Sequence, residues 1–117
     1  MEPKTATVTA PRFAKFATMD DGIKALIHQL CLYFGRGNNT VAGIIGVWAP
    51  TNENNTCAYA NYVARRLGVG LNSKLELMPA TATVLVDAIS HVECGQSVAT
   101  LAHLHFLATQ VLGSVGV

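Results

Sequence analysis

The sequence predicts an all-α fold, a single small domain of five helices. Three observations carry this. Apolar residues recur with helical spacing in successive windows, at Ile23, Leu26, Ile27, Leu30 and again at Val41, Ile44, Ile45, Trp48. The windows are closed by helix-stopping residues, Gly35 and Gly37, Pro50, Gly68 and Gly70, and Gly95. Beyond the first dozen residues, few long runs alternate with period two, and no internal repeat or glycine-rich phosphate loop is visible.

In chain order, residues 1–15 read as an extended N-terminal arm. Met1 to Arg12 holds two prolines and no helical period. Alternation of Thr5, Thr7 and Thr9 with Ala6, Val8 and Ala10 suits an edge strand if a partner sheet is supplied, and a disordered terminus otherwise. Phe13 and Phe16 are placed to dock the end of the arm on the first helix. That helix opens at Thr18, with Asp21 three residues on in a short capping box, and its stripe continues through Cys31 and Phe34. Thr40 caps the second helix, and Pro50 stops it because proline disfavours the helical region at Ala49.

Asn55 or Thr56 is expected to cap the third helix, which carries Tyr59, Tyr62, Val63, Arg66 and Leu67. Leu71, Leu75 and Leu77 pin the loop that follows. Pro79 suits the first turn of the fourth helix, whose stripe is Val84, Leu85, Ala88, Ile89 and Val92, ending at Cys94-Gly95. From Gly95 to Val117, 23 residues contain no Asp, Glu, Lys or Arg, and propensity makes this tail helical as far as Leu112. His103, His105 and Gln110 and the lack of flanking basic residues argue against its contacting a membrane. Val98, Leu101, Leu104, Ala108 and Leu112 form one side of it, expected to pack partly on the domain and partly on a neighbouring subunit. The division is an arm at 1–15, a helical domain at 16–95 and an uncharged apolar tail at 96–117.

Composition narrows the function. Of 117 residues, 50% are hydrophobic and 13% charged, against roughly 25% charged in ordinary soluble domains. So little charge suggests a surface partly covered by partners. A net charge of +1 gives no electrostatic case for nucleic acid. Cys31, Cys57 and Cys94 are odd in number and widely spaced, so no disulfide framework is expected, and the start lacks the apolar run of a signal peptide.

The chemistry that remains lies between the second and third helices. Glu53, flanked by Asn52, Asn54 and Asn55, suits either a general acid in glycoside chemistry or a carboxylate that favours a helix start. Asp20, Asp21, Glu76, Asp87 and Glu93 are the other acids, and spacing singles out none as its partner. Trp48, Tyr59 and Tyr62 suit a sugar-stacking platform or plain core packing, with Tyr59 the better recognition candidate. His91, Cys94, His103 and His105 raise a zinc site, but residues two apart on a helix face different ways. No metal and no cofactor is therefore expected. No Ser-His-Asp or Cys-His arrangement can be argued from spacing, and each cysteine sits where packing explains it.

Four blocks, F-x-x-M-x-x-G-I-x-A-L from Phe16, Y-x-x-x-G-x-N-T-V-x-x-I-I from Tyr33, W-A-P-x-x-E-N-x-T-x-x-Y from Trp48 and V-A-x-R-L-G-V from Val63, make the sequence resemble a family of small bacteriophage and prophage virion structural proteins. The resemblance covers roughly residues 13–95. A looser similarity reaches the later helices of lysozyme-like and glucosaminidase-like peptidoglycan hydrolases, which implies a lysozyme-like helical core. Members of the family begin with an N-P-G-N-I-R-type segment that is not found ahead of Phe16, which argues against any activity that depends on it.

The resemblance implies a virion component that assembles with other virion proteins or with copies of itself, made in the cytoplasm of a bacterial host. The alternative it implies is a peptidoglycan-directed glycoside hydrolase or its sugar-binding remnant. Glu53 would then be the catalytic residue, with Trp48, Asn54, Thr56 and Tyr59 holding the sugar. The shortage of charge and the apolar tail favour the non-enzymatic reading.

Overall fold

The computed structural model describes residues 18–48 and 53–114. Among these the fold is all-helical, with α1 at Met19–Gly35, α2 at Val41–Trp48, α3 at Glu53–Leu67, α4 at Pro79–Cys94 and α5 at Leu101–Ser114. The N-terminal arm and the Ala49-to-Asn52 part of the interhelical loop lie outside the described residues.

Helix α1 starts as its sequence dictates. Thr18 is extended, and its hydroxyl accepts from the Asp21 amide at 3.0 Å. Asp20 and Asp21 lie in the first turn, where the helix dipole favours negative charge. Ile23, Leu26, Ile27, Leu30 and Tyr33 are buried, while Cys31 and Phe34 pack at the margin of the core. The chain turns out of the helix at Gly37, whose φ of +84° is a left-handed conformation natural to glycine.

Thr40 caps α2 by accepting from the Gly43 amide at 3.1 Å, and Asn38 donates its amide to the Gly43 carbonyl at 3.0 Å. The Asn38 oxygen lies where a Cβ on residue 43 would stand, 2.0 Å from the ideal position. Val41, Ile44 and Ile45 are fully buried. The segment after α3 is stitched to this corner by backbone bonds, Ala42 to Leu71 at 3.0 Å and Leu75 to Asn39 at 2.8 Å.

Helix α3 begins at Glu53, so Asn55 and Thr56 lie inside its first turn and are not its caps. It buries Tyr59, Ala60, Val63 and Ala64 and ends at Gly68, also left-handed. Helix α4 begins with Pro79 behind an extended Met78, and ends at Gly95 in the left-handed region, whose amide returns to the His91 carbonyl at 3.0 Å. It packs against α1, α3 and α5.

That central position corrects the expected stripe. Ala82, Leu85, Val86, Ala88, Ile89 and even Asp87, Ser90 and Glu93 are buried, whereas Val92 is exposed. Ser90 stays satisfied by donating to the Val86 carbonyl at 2.7 Å.

The helix of the tail starts later than expected. Thr100 caps it, accepting from the His103 amide at 3.1 Å, and residues 95–100 form a connection. Leu104, Leu107, Ala108, Val111 and Leu112 enter the core against α1 and α4, and Leu101, expected on the buried side, is exposed. None of the helices among the described residues is long and apolar enough to cross a membrane.

Candidate functional site

Two polar networks converge on α4, one inside the helical core and one at its edge. In the first, the Trp48 indole at the end of α2 donates to the Tyr59 hydroxyl on α3 at 3.0 Å. The hydroxyl in turn donates to the Glu93 carboxyl on α4, also at 3.0 Å. Tyr59 and Glu93 are both buried, and Trp48 is half-buried against the core. A phenol has one proton to give, and here it goes to Glu93 while the oxygen accepts from the indole. The arrangement bolts together three helices around the loop that joins two of them.

In the second network, Arg66 on α3 pairs with buried Asp87 on α4 at 2.5 Å and also donates to the Tyr62 hydroxyl at 2.9 Å. His91, one turn beyond Asp87, lies 3.8 Å from the same carboxyl oxygen and shares a hydrogen bond with the Ser97 hydroxyl at 2.8 Å. Burial pushes the Asp87 carboxyl up. The hydrogen bonds from Arg66 and Ser97, with the charges of Arg66 and His91, more than reverse this, so it titrates below its ordinary range. The bond to Asp87 is the main reason that the Arg66 guanidinium holds its proton still more firmly.

Ser97, His91 and Asp87 thus meet, although only Asp87 and His91 stand one helical turn apart in the sequence. They do not form a catalytic relay. Ser97 and Asp87 both approach Nε2 of His91, whereas a relay needs the acid on one ring nitrogen and the hydroxyl on the other. The cluster instead ties the connection after α4 back onto that helix.

The other candidates are dispersed. Glu53 and Asn54 open α3, at the start of the helix that carries Tyr59, and Thr56 is half-buried in the same turn. Tyr59, the preferred recognition residue, is buried with its hydroxyl engaged on both sides. His103 is drawn to Asp20 at 2.9 Å and His91 to Ser97, while His105 is exposed. Among the described residues no group of three or more His, Cys, Asp or Glu side chains is placed to hold a metal ion. Cys31 and Cys94 are half-buried, and burial raises the pKa of both thiols.

Sequence reasoning missed Asp87 and Glu93 as paired internal acids. The Asp87–His91 spacing of one turn was the only local signal, since Arg66 and Tyr59 reach them from another helix.

Compared with known proteins, the chain matches no described family and no solved structure. Over 80 residues it is 39% identical to Protein P5 of Pseudoalteromonas phage PM2, a match that takes in 66% of this chain and 50% of that protein. The chain spans about half the length of the curated relative it matches. About two thirds of the chain is therefore similar to part of a bacteriophage protein.

Proposed function

We propose that this protein is a non-enzymatic structural component of a bacteriophage particle, made in the bacterial host and assembled with other virion proteins and with copies of itself. The observation that carries the reading is the 39% identity to a protein of phage PM2. The internal geometry supports it. The aromatic pair of the W-A-P-x-x-E-N-x-T-x-x-Y block is spent on holding α2, α3 and α4 together, and Asp87 is neutralised by Arg66. Such bonds fix a rigid building block. The test is whether the protein co-sediments with purified, nuclease- and detergent-washed phage particles at a stoichiometric level. Its absence from such particles overturns the reading.

One observation favours a second reading, a wall-directed glycoside hydrolase or its sugar-binding remnant with a lysozyme-like core. Glu93, whose carboxyl accepts from the Tyr59 hydroxyl that also meets Trp48, would be the second acid that two-carboxylate chemistry requires. Glu53 would be the first acid, with Trp48, Asn54, Thr56 and Tyr59 lining the sugar. A zymogram on purified cell walls decides it. Clearing that is lost in both Glu53→Gln and Glu93→Gln establishes the hydrolase, and no clearing by the intact chain removes it.

A further inference from the structure

Asn72 stands apart from the other asparagines. Asn54, Asn55 and Asn61 lie within α3. Asn38 and Asn39 are half-buried at the corner between α1 and α2, and the Asn38 amide is held by the Gly43 carbonyl at 3.0 Å. Asn72 is the one exposed asparagine outside a helix among the described residues, and its side chain makes no hydrogen bond there. The residue after it, Ser73, is small and also exposed.

That pairing carries a reaction. The amide nitrogen of the residue after an asparagine can reach the asparagine's side-chain carbonyl carbon. Once that nitrogen has given its proton to hydroxide, its attack forms a carbon–nitrogen bond and expels the side-chain nitrogen as ammonia. Water then opens the resulting cyclic imide at either carbonyl, leaving aspartate or isoaspartate. A bulky following side chain slows the attack, and a helical backbone turns the following nitrogen away from the carbonyl, which shields Asn54, Asn55 and Asn61. Neither protection acts at Asn72. The Ser73 nitrogen closes a turn onto the Gly70 carbonyl at 3.3 Å, longer than an ordinary backbone bond, and the Gly70 amide reaches the Ser73 hydroxyl at the same distance. We propose that Asn72 is a site of spontaneous deamidation, the first asparagine of the chain to convert, with water as the co-reactant.

The position of the turn gives the change a structural consequence. Its two sides are pinned to the corner between α1 and α2, the Ala42 amide donating to the Leu71 carbonyl at 3.0 Å and the Leu75 amide to the Asn39 carbonyl at 2.8 Å, with the Leu75 side chain buried. Isoaspartate routes the main chain through the side-chain methylene, so an extra backbone atom enters between two fixed points. The corner therefore loosens as the protein ages, and a new carboxylate appears two residues before Lys74. A chain that is not renewed accumulates the change, because it does not reverse.

The experiment is ageing of the folded full chain in warm, mildly alkaline heavy-oxygen water, followed by peptide mapping in a mass spectrometer. Oxygen label is expected first at Asn72, with aspartate and isoaspartate both formed. Ser73→Gly should speed the conversion several-fold and Ser73→Val should slow it several-fold, with circular dichroism checking that both variants fold. Hydrogen exchange at the Ala42 and Leu75 amides should quicken in aged chains and not in Asn72→Asp, which carries the charge without the longer backbone. Earlier conversion at any other asparagine, or a folded chain that leaves Asn72 intact while urea-unfolded chains convert it, would overturn the proposal. So would equal rates in the two Ser73 variants, or unchanged exchange at Ala42 and Leu75 in aged chains.

Discussion

Trp48 and Tyr59, eleven residues apart on different helices, meet side chain to side chain, the indole N–H donating to the phenol oxygen at 3.0 Å. The bond ties the last residue of α2 to the second turn of α3. Because the phenol proton continues to Glu93, the same contact fastens α4.

Tyr59→Phe keeps the ring and deletes the bridge. It should destabilise the fold by about 1–3 kcal/mol, the cost of removing one partner from buried polar groups. Urea unfolding checks this, and an unchanged midpoint would show that the bridge contributes nothing.

The Arg66–Asp87 pair predicts the acid limb of the stability curve. The folded-state pKa of Asp87 is depressed, so its stabilisation is fully present above the unfolded value of about 4 and is lost as pH falls through the folded value. Asp87→Asn should flatten the loss of stability below about pH 4. Arg66→Met, which leaves a buried carboxylate without its cation, should cost about 2–3 kcal/mol at neutral pH, discounted for the partial exposure of Arg66. Melting temperatures of both variants against pH test the sign.

Two glycine substitutions should act in opposite directions. Gly46 lies inside α2 with ordinary helical φ and nothing near a new Cβ, so Gly46→Ala should stabilise by about 0.5–1 kcal/mol. Gly95 has equally open space but a φ of +78°, so Gly95→Ala should destabilise by about 1–2 kcal/mol through backbone strain. Thermal unfolding of the pair separates space from conformation.

At Gly43 the expectation is coupling. A methyl there displaces the Asn38 side chain and breaks its bond to the Gly43 carbonyl. Asn38→Ala should then cost about 1 kcal/mol in the native background and close to nothing in Gly43→Ala. Additive effects in a double-mutant cycle would refute the contact.

How much was legible follows from where each helix sits. Helix α1 has one face to the core and a threonine cap, so its stripe could be read in order, and α2 shares those features. Helix α4 is central, and burial on several sides erases the stripe, which is why Val92 was placed inside and Asp87, Ser90 and Glu93 were not. The start of α3 was misplaced because Asn52, Asn54, Asn55 and Thr56 crowd together and each is a plausible cap. In the tail, apolar residues on every side left two possible stripes, and Leu101 was assigned to the wrong one. The networks of the candidate site were invisible because their partners come from different helices. Trp48 and Tyr59 stood out as residues, but their meeting did not.

The contact of α5 with α1 sets a clock on synthesis. While the ribosome is still making α4, the face of α1 that packs against α5 has no lid, and the nascent chain carries that greasy surface uncovered. Closure waits until α5 clears the exit tunnel. The packing of α1 is therefore completed only after α5 is made, and chaperones that hold apolar nascent segments have their longest opportunity on α1, the first of the described helices to be made.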